Sequence, residues 1–350
     1  MFPDASSPRN SFPTKNPKIR PDHHAAHEAV FGGNVSGGKS DGHWLGLEVK
    51  ENLVDHPIAV EAMPLSSRWK LSLSNSGSGF PPRTGCKIST DTPKRGKQVT
   101  ELGVDYSKCW ASCLDDCEGV ISHEHLISEC LFPDGGITVY GFEWCKDTPK
   151  SIHIKTLTRK ILCEKHNHGL SEVDAAVKQS LDTLRDATVL FMVREKVRAR
   201  HWTVKHFNTD MLLLERWCLK TLINLNQQED FPISPEAPEP HKPTKELVEV
   251  AFGLKRFADP SGLYMIVRSG GQFTLNEGEL SIGTMRMGDR LAGAEFCLWG
   301  VPFFLNLLPT PFPMQGANLL RHNIKHCFQT FDDKRRPVKS HVVKFFYPGD

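Results

Sequence analysis

Cys109, Cys113 and Cys117 recur at intervals of four within CWASCLDDC, and Cys163 and His166 form a second short pair within ILCEKHNHG. Zinc takes four donors in a tetrahedron, commonly as two short ligand pairs held on turns. Cys163-x2-His166 is one such pair, at a turn leading into a helix. Any two of the three upstream cysteines could complete the set, Cys113–Cys117 being the tighter pair and Cys109–Cys117 the wider. An ion saturated by four protein ligands would be structural. A second stretch has the types needed to meet a polyanion: Arg194, Lys196, Arg198, Arg200 and Lys205, interleaved with His201, Trp202, His206 and Phe207. Cations neutralise phosphates and aromatic rings stack on unpaired bases; a solvated helix face has the same composition. The cluster His23, His24 and His27 is read as a solvated polar tract, with metal binding as its alternative.

The rest of the chain must position these residues. It has 350 residues and a formal net charge of +2, so any nucleic-acid contact must come from local clusters rather than from a generally basic surface. The ten cysteines bunch beside histidines instead of crowding a short chain at regular spacing, which favours metal ligation in a reducing compartment over disulfides. The N-terminus has no apolar signal-like run, and no stretch approaches the roughly 20 apolar residues of a membrane span; the expected location is cytoplasmic, with no membrane contact.

Residues 1–103 are rich in Pro, Ser, Gly and Asn and lack sustained periodicity, so they are expected to form a largely disordered arm, with short strands at Ile58–Val60 and Trp69–Leu73. Ser171 with Asp174 three residues on suggests a capping box, and Val173, Val177, Leu181 and Leu184 continue at helical spacing. Leu190–Val193 reads as a short buried piece. Met211–Leu225 reads as a second helix with Trp217 in the core, and with Glu215, Arg216 and Lys220 able to pair along one face. Residues 229–243 form a proline-rich linker. Thr244–Phe252 is a short helix stopped by Gly253. Beyond it, GLYMIVRSGGQFTL suggests a hairpin, and Glu295–Trp299, Phe303–Leu308 and His341–Phe346 are further strands. Lys334, Arg335 and Arg336 mark a turn before the last of these.

The ligand pairs, the enclosed Glu124-His125 and the Cys-x2-His-Asn ending together resemble the zinc-containing HNH endonucleases. The strings SHEHLISE, ILCEKHNxxLSxxD and LERWxLK resemble those of bacterial HNH-like proteins of undefined role, in which the wide cysteine pair recurs. The resemblance covers about 65 residues closely. It implies a ββα-metal fold with structural zinc on Cys109, Cys117, Cys163 and His166. It further implies His125 as general base, with Glu124 and Asn167 holding a magnesium or manganese ion for hydrolysis of DNA. A neutral imidazole suits the base role, and carboxylate and amide oxygens suit a hard ion that neutralises charge on the phosphate. The chain departs from the family pattern at the middle asparagine, where Thr158 stands, and in a long insertion between His125 and Cys163.

The expected architecture is α+β: the arm, a zinc core with helical extension over 104–228, the linker, and an antiparallel β-rich domain over 244–350. The expected function is a metal-dependent HNH-type endonuclease. The alternative is a catalytically inactive zinc module that binds nucleic acid or a protein, with the C-terminal domain carrying recognition.

Overall fold

A computed structural model of the chain describes residues 28–31, 44–49, 67–73 and 105–348, except 133, 198–201, 228–232, 234–241, 269–271, 275–278, 288–289, 311–316, 322–323, 332–333 and 335. His23, His24, His27, Ile58–Val60, Arg198 and Arg200 therefore lie outside the described residues, as does most of 229–243.

The fold mixes helix and sheet. Its strands are β1 (Glu28–Phe31), β2 (Trp44–Val49), β3 (Ser67–Leu73), β4 (Ile121–His125), β5 (Gly136–Tyr140), β6 (Lys150–His153), β7 (Thr158–Cys163) and β8 (Lys205–Asp210) in the first part. The second part adds β9 (Gly262–Arg268), β10 (Gln272–Thr274), β11 (Glu279–Met287), β12 (Arg290–Leu298), β13 (Val301–Asn306), β14 (Ala317–Leu320), β15 (Ile324–Phe331) and β16 (Pro337–Phe346). Four α-helices accompany them: α1 (Glu164–Gly169), α2 (Ser171–Lys196), α3 (Met211–Asn226) and α4 (Lys245–Ala251).

Two large sheets draw on both halves of the chain. One runs β14-β9-β13-β12-β11-β3-β5-β6 and the other β10-β2-β1-β15-β16-β8; β4 and β7 form a separate antiparallel ribbon. The C-terminal strands pair antiparallel with one another and also take partners from the first half of the chain, β15 running parallel to β1 and β16 parallel to β8. One buried apolar cluster extends from Cys109 to Tyr347. Ile233, within the proline-rich stretch 229–243, is buried.

Several local expectations change for identifiable reasons. Three strands fall inside residues 1–103: β1 and β2 pair with each other and with the distant β15 and β10, and β3 covers the expected strand Trp69–Leu73. β3 bridges β11 and β5. The Gly262 hairpin does not form: β9 pairs with β13 and β14, while β10 pairs with β2. The capping box is absent. Leu170 stands at the helix cap, and Ser171 donates back to the His168 carbonyl at 2.7 Å. Asp174 turns inward to Ser128 and Lys220. Leu190–Val193 continues α2, whose buried stripe Val173, Val177, Leu181, Leu184, Ala187 and Phe191 faces the core. Lys334 does sit in a turn before β16.

Helix α3 is the central post. Asp210 caps it by accepting from Leu212 N and Leu213 N at 2.9 and 3.1 Å. Nearly every residue along it is buried, as in a helix covered on all sides. Its polar residues therefore pair with other elements instead of with one another. Glu215 accepts from Leu263 N at 2.7 Å and the Tyr347 hydroxyl at 3.2 Å, beside Arg321. Arg216 donates to the Ala251 carbonyl, and Lys220 and Asn224 reach the β4 ribbon.

Candidate metal centre

Cys109, Cys117, Cys163 and His166 bring one ligand atom each into a group within 4.8 Å of one another. Each arrives on a different piece of backbone. Cys109 N closes a turn on the Tyr106 carbonyl. Cys117 follows a single 3-10 turn, Ser112–Leu114, that ends on left-handed Asp115. Cys163 is the last residue of β7, and His166 lies one turn into α1. The knuckle loop is tied down by Tyr106 Oη donating to the Gly119 carbonyl at 3.0 Å, and by Glu164 N and Lys165 N donating to the Val120 and Glu118 carbonyls. Gly119 has φ +78°, a left-handed conformation that favours glycine, and a Cβ there would also crowd Glu164 Cβ at 2.9 Å.

The donor set fits a metal ion and is compatible with zinc. His166 Nδ1 lies 3.4, 3.6 and 3.1 Å from the sulfurs of Cys109, Cys117 and Cys163. Its other ring nitrogen, Nε2, lies 2.8 Å from Asp116 Oδ1, and Lys165 pairs with the same carboxylate at 2.9 Å. The Lys165 ammonium, joined by His166, holds the Asp116 carboxyl below the usual range despite some opposing burial. Burial pushes the Cys109 and Cys117 thiols up, and the neighbouring sulfurs push Cys117 further. Three sulfurs this close can ionise together only with a cation among them, since a coordinated metal deprotonates thiols outright. Phe252, just past α4, packs edge-on against the His166 ring at 5.2 Å and against Trp110 at 5.7 Å. Cys113 is half-buried and outside the group of four. None of the cysteines whose side chains are described is in a disulfide.

The three residues expected to form a catalytic site have separate partners. Glu124 is buried, with Oε1 2.7 Å from Lys220 Nζ and 3.4 Å from Asn224 Nδ2. Lys220 also donates to both oxygens of Asp174 at 2.7 and 2.8 Å. Burial disfavours the Lys220 ammonium, but the two carboxylates outweigh it and hold its pKa above the usual value. Burial pushes Glu124 up against the pull of Lys220. The 2.7 Å contact, with one ammonium shared by two carboxylates, favours a charged Lys220 at neutral pH. Asn167 Nδ2 donates to Ser122 Oγ at 3.0 Å and to the His123 carbonyl at 3.3 Å.

His125 Nε2 is buried and 3.5 Å from Glu129 Oε2, close enough for attraction but without hydrogen-bond alignment. Burial lowers the His125 pKa; Glu129 opposes that shift and Lys220 adds to it. Among the described residues, no hydrogen bond or ion pair links Glu124, His125 and Asn167 to one another. Thr158, in the slot of the family's middle asparagine, is opposite His125 in register, but its hydroxyl lies 3.5 Å from His123 Nδ1. His123 and His168 are both exposed.

Arg194 donates to the Ser340 and Thr203 carbonyls and lies over the Trp202 ring at 4.8 Å, tying α2 to β16. Lys205 lies over Phe207 at 4.7 Å, and Lys196 is exposed. Sequence reasoning missed Asp116, Asn224 and the packing of Phe252, and it placed Lys220 along a helix face instead of against Glu124 and Asp174. The available signals were an acidic pair inside the knuckle and charged or amide residues within an apolar helix. Phe252 had none, since its role depends on long-range packing. Among the described residues no helix is long and apolar enough to cross a membrane. No family model, curated protein or solved structure matches the chain.

Proposed function

We propose that the chain is a zinc-ordered nucleic-acid-binding protein of the ββα-metal type, with the zinc structural and with Glu124 serving the core instead of a catalytic ion. The convergence of Cys109, Cys117, Cys163 and His166, with Asp116 on the outer nitrogen of the histidine, carries the zinc part of this reading. The ribbon β4–β7 running into α1 and α2 is the backbone order such a module needs. The engagement of Glu124 with Lys220 supports a structural carboxylate, because an ammonium already occupies the place of a counter-ion. The nucleic-acid part rests on the resemblance and on local basic stretches. Its test is binding of labelled DNA to the zinc-loaded chain, followed by removal of zinc with a chelator: binding that is lost with the metal and restored on its return supports the reading, and no binding by the loaded chain rejects it.

A second reading, DNA hydrolysis with His125 as general base and a magnesium or manganese ion, draws support from one observation. The His125 imidazole is held toward its neutral form, with Nε2 lacking an aligned hydrogen-bond partner, and a neutral imidazole is what a base requires. Plasmid nicking with either ion, lost in His125→Ala, would establish it; equal cleavage by both proteins would remove it.

A further inference from the structure

The insertion between His125 and Cys163 builds a cleft of its own. It is an open cleft of about 490 Å³ between the edge of the β4–β7 ribbon and the turn before β6, in volume comparable to ligand-sized pockets. Leu126, Ile152 and Leu157 give it an apolar floor, and Thr158 and Arg159 line its polar side. Trp144 forms a wall and is 42% exposed, which is unusual for the largest apolar side chain. Its indole is pre-positioned by near-parallel stacking on buried Phe142 at 5.7 Å and 20°. An exposed ammonium, Lys150 Nζ, donates to the Trp144 carbonyl at 2.6 Å and lies over the ring, 5.6 Å from its centre, from where an incoming base would have to move it.

The charge along residues 143–160 is one-sided, although Lys155 also lies 3.9 Å from Glu129 outside that stretch. Residues 143–160 carry Lys146, Lys150, Lys155, Arg159 and Lys160 against Glu143 and Asp147. All seven are exposed. A chain that is nearly neutral overall therefore concentrates cations around a ready-made aromatic platform. Arg159 gives NH1 to the Gln227 carbonyl, and a guanidinium has five N–H donors in all.

From this geometry we propose that the cleft binds an unpaired nucleobase of a single-stranded nucleic acid, stacked on Trp144, with flanking phosphates on Arg159, Lys155 and Lys160. The inference rests on the nucleic-acid reading above and locates it at a place distinct from the Arg194–Lys205 stretch. Stacking is insensitive to base identity because every base has a π face, so the site would prefer single strands with little sequence preference. A duplex keeps its bases stacked internally and would meet only the cations.

The test is fluorescence anisotropy of a labelled twelve-nucleotide single strand and of the matching duplex. It uses the zinc-loaded full chain, wild type and variants, each checked for zinc content and circular dichroism. The expected result is tighter binding of the single strand, weakened about tenfold by Trp144→Ala and largely kept by Trp144→Phe. Lys155→Gln with Lys160→Gln should lower the salt dependence of binding. If Trp144→Ala binds as wild type does, or if the duplex is preferred, the cleft assignment is overturned while nucleic-acid binding stands. If the wild type binds neither strand form, both fall, and Trp144-dependent capture of an acidic peptide would then identify the cleft as a protein site.

Discussion

His166 Nε2 lies 2.8 Å from Asp116 Oδ1, so the carboxylate beside one sulfur ligand fixes the ring of the nitrogen ligand. With Nε2–H donated to Asp116, the Nδ1 lone pair points at the three sulfurs. Partners of this kind typically change metal affinity 10- to 100-fold, an order-of-magnitude range. Asp116→Ala should lower zinc affinity by about that factor in a chelator competition, and Asp116→Asn, which keeps an acceptor oxygen, by less. Unchanged affinity in Asp116→Ala would mean the contact plays no part in ligation.

Lys220 is the only cation in direct contact with Glu124 among the described ion pairs, and both side chains are nearly fully buried. Lys220→Met would leave two carboxylates without their ammonium, at a cost of about 3–5 kcal/mol in denaturant unfolding. Adding Glu124→Gln should recover part of that loss. Because the folded-state pKa of Lys220 is raised, its contribution is complete below the unfolded value of roughly 10.4. It is lost as pH rises through the folded value. A pH–stability profile of the wild type that stays flat through the alkaline range would contradict this account.

His341 is fully buried, and burial, joined by Arg194 and Lys205, pushes its pKa down to about 3. The sign follows from proton uptake: the unfolded chain binds this proton first. Stability is therefore full above about pH 6.5 and falls at up to about 1.4 kcal/mol per unit as pH drops toward the folded value. His341→Gln should flatten that slope between pH 6.5 and 4, whatever it does to stability at pH 7. An identical slope would place the acid sensitivity in other groups.

How much of this was legible differs by element. The helices at Met211 and Thr244 carry local signals, an apolar period and a capping side chain, and both form at or near their expected bounds. The strands around Phe303 and His341 are apolar runs and form as well. Their partners were not legible, because pairing β16 with β8 or β3 with β11 joins residues more than a hundred positions apart, and no local period encodes that. At the site, spacing reduced the ligands to three cysteine pairings; the resemblance favoured Cys109 with Cys117, and the fold leaves Cys113 outside the group of four. The Glu124-His125 string suggested an ion-holding carboxylate, since nothing local to it shows that Lys220, 96 positions on, reaches it.

Metal content tests the central claim most directly. Freshly purified wild type should carry about one zinc per chain. Cys113→Ser should keep it, while Cys109→Ser and Cys163→Ser should lose most of it together with cooperative unfolding of the core, because metal binding in such modules is folding energy. A metal-free wild type, or a Cys163→Ser protein that holds zinc as tightly as the wild type, would contradict the account.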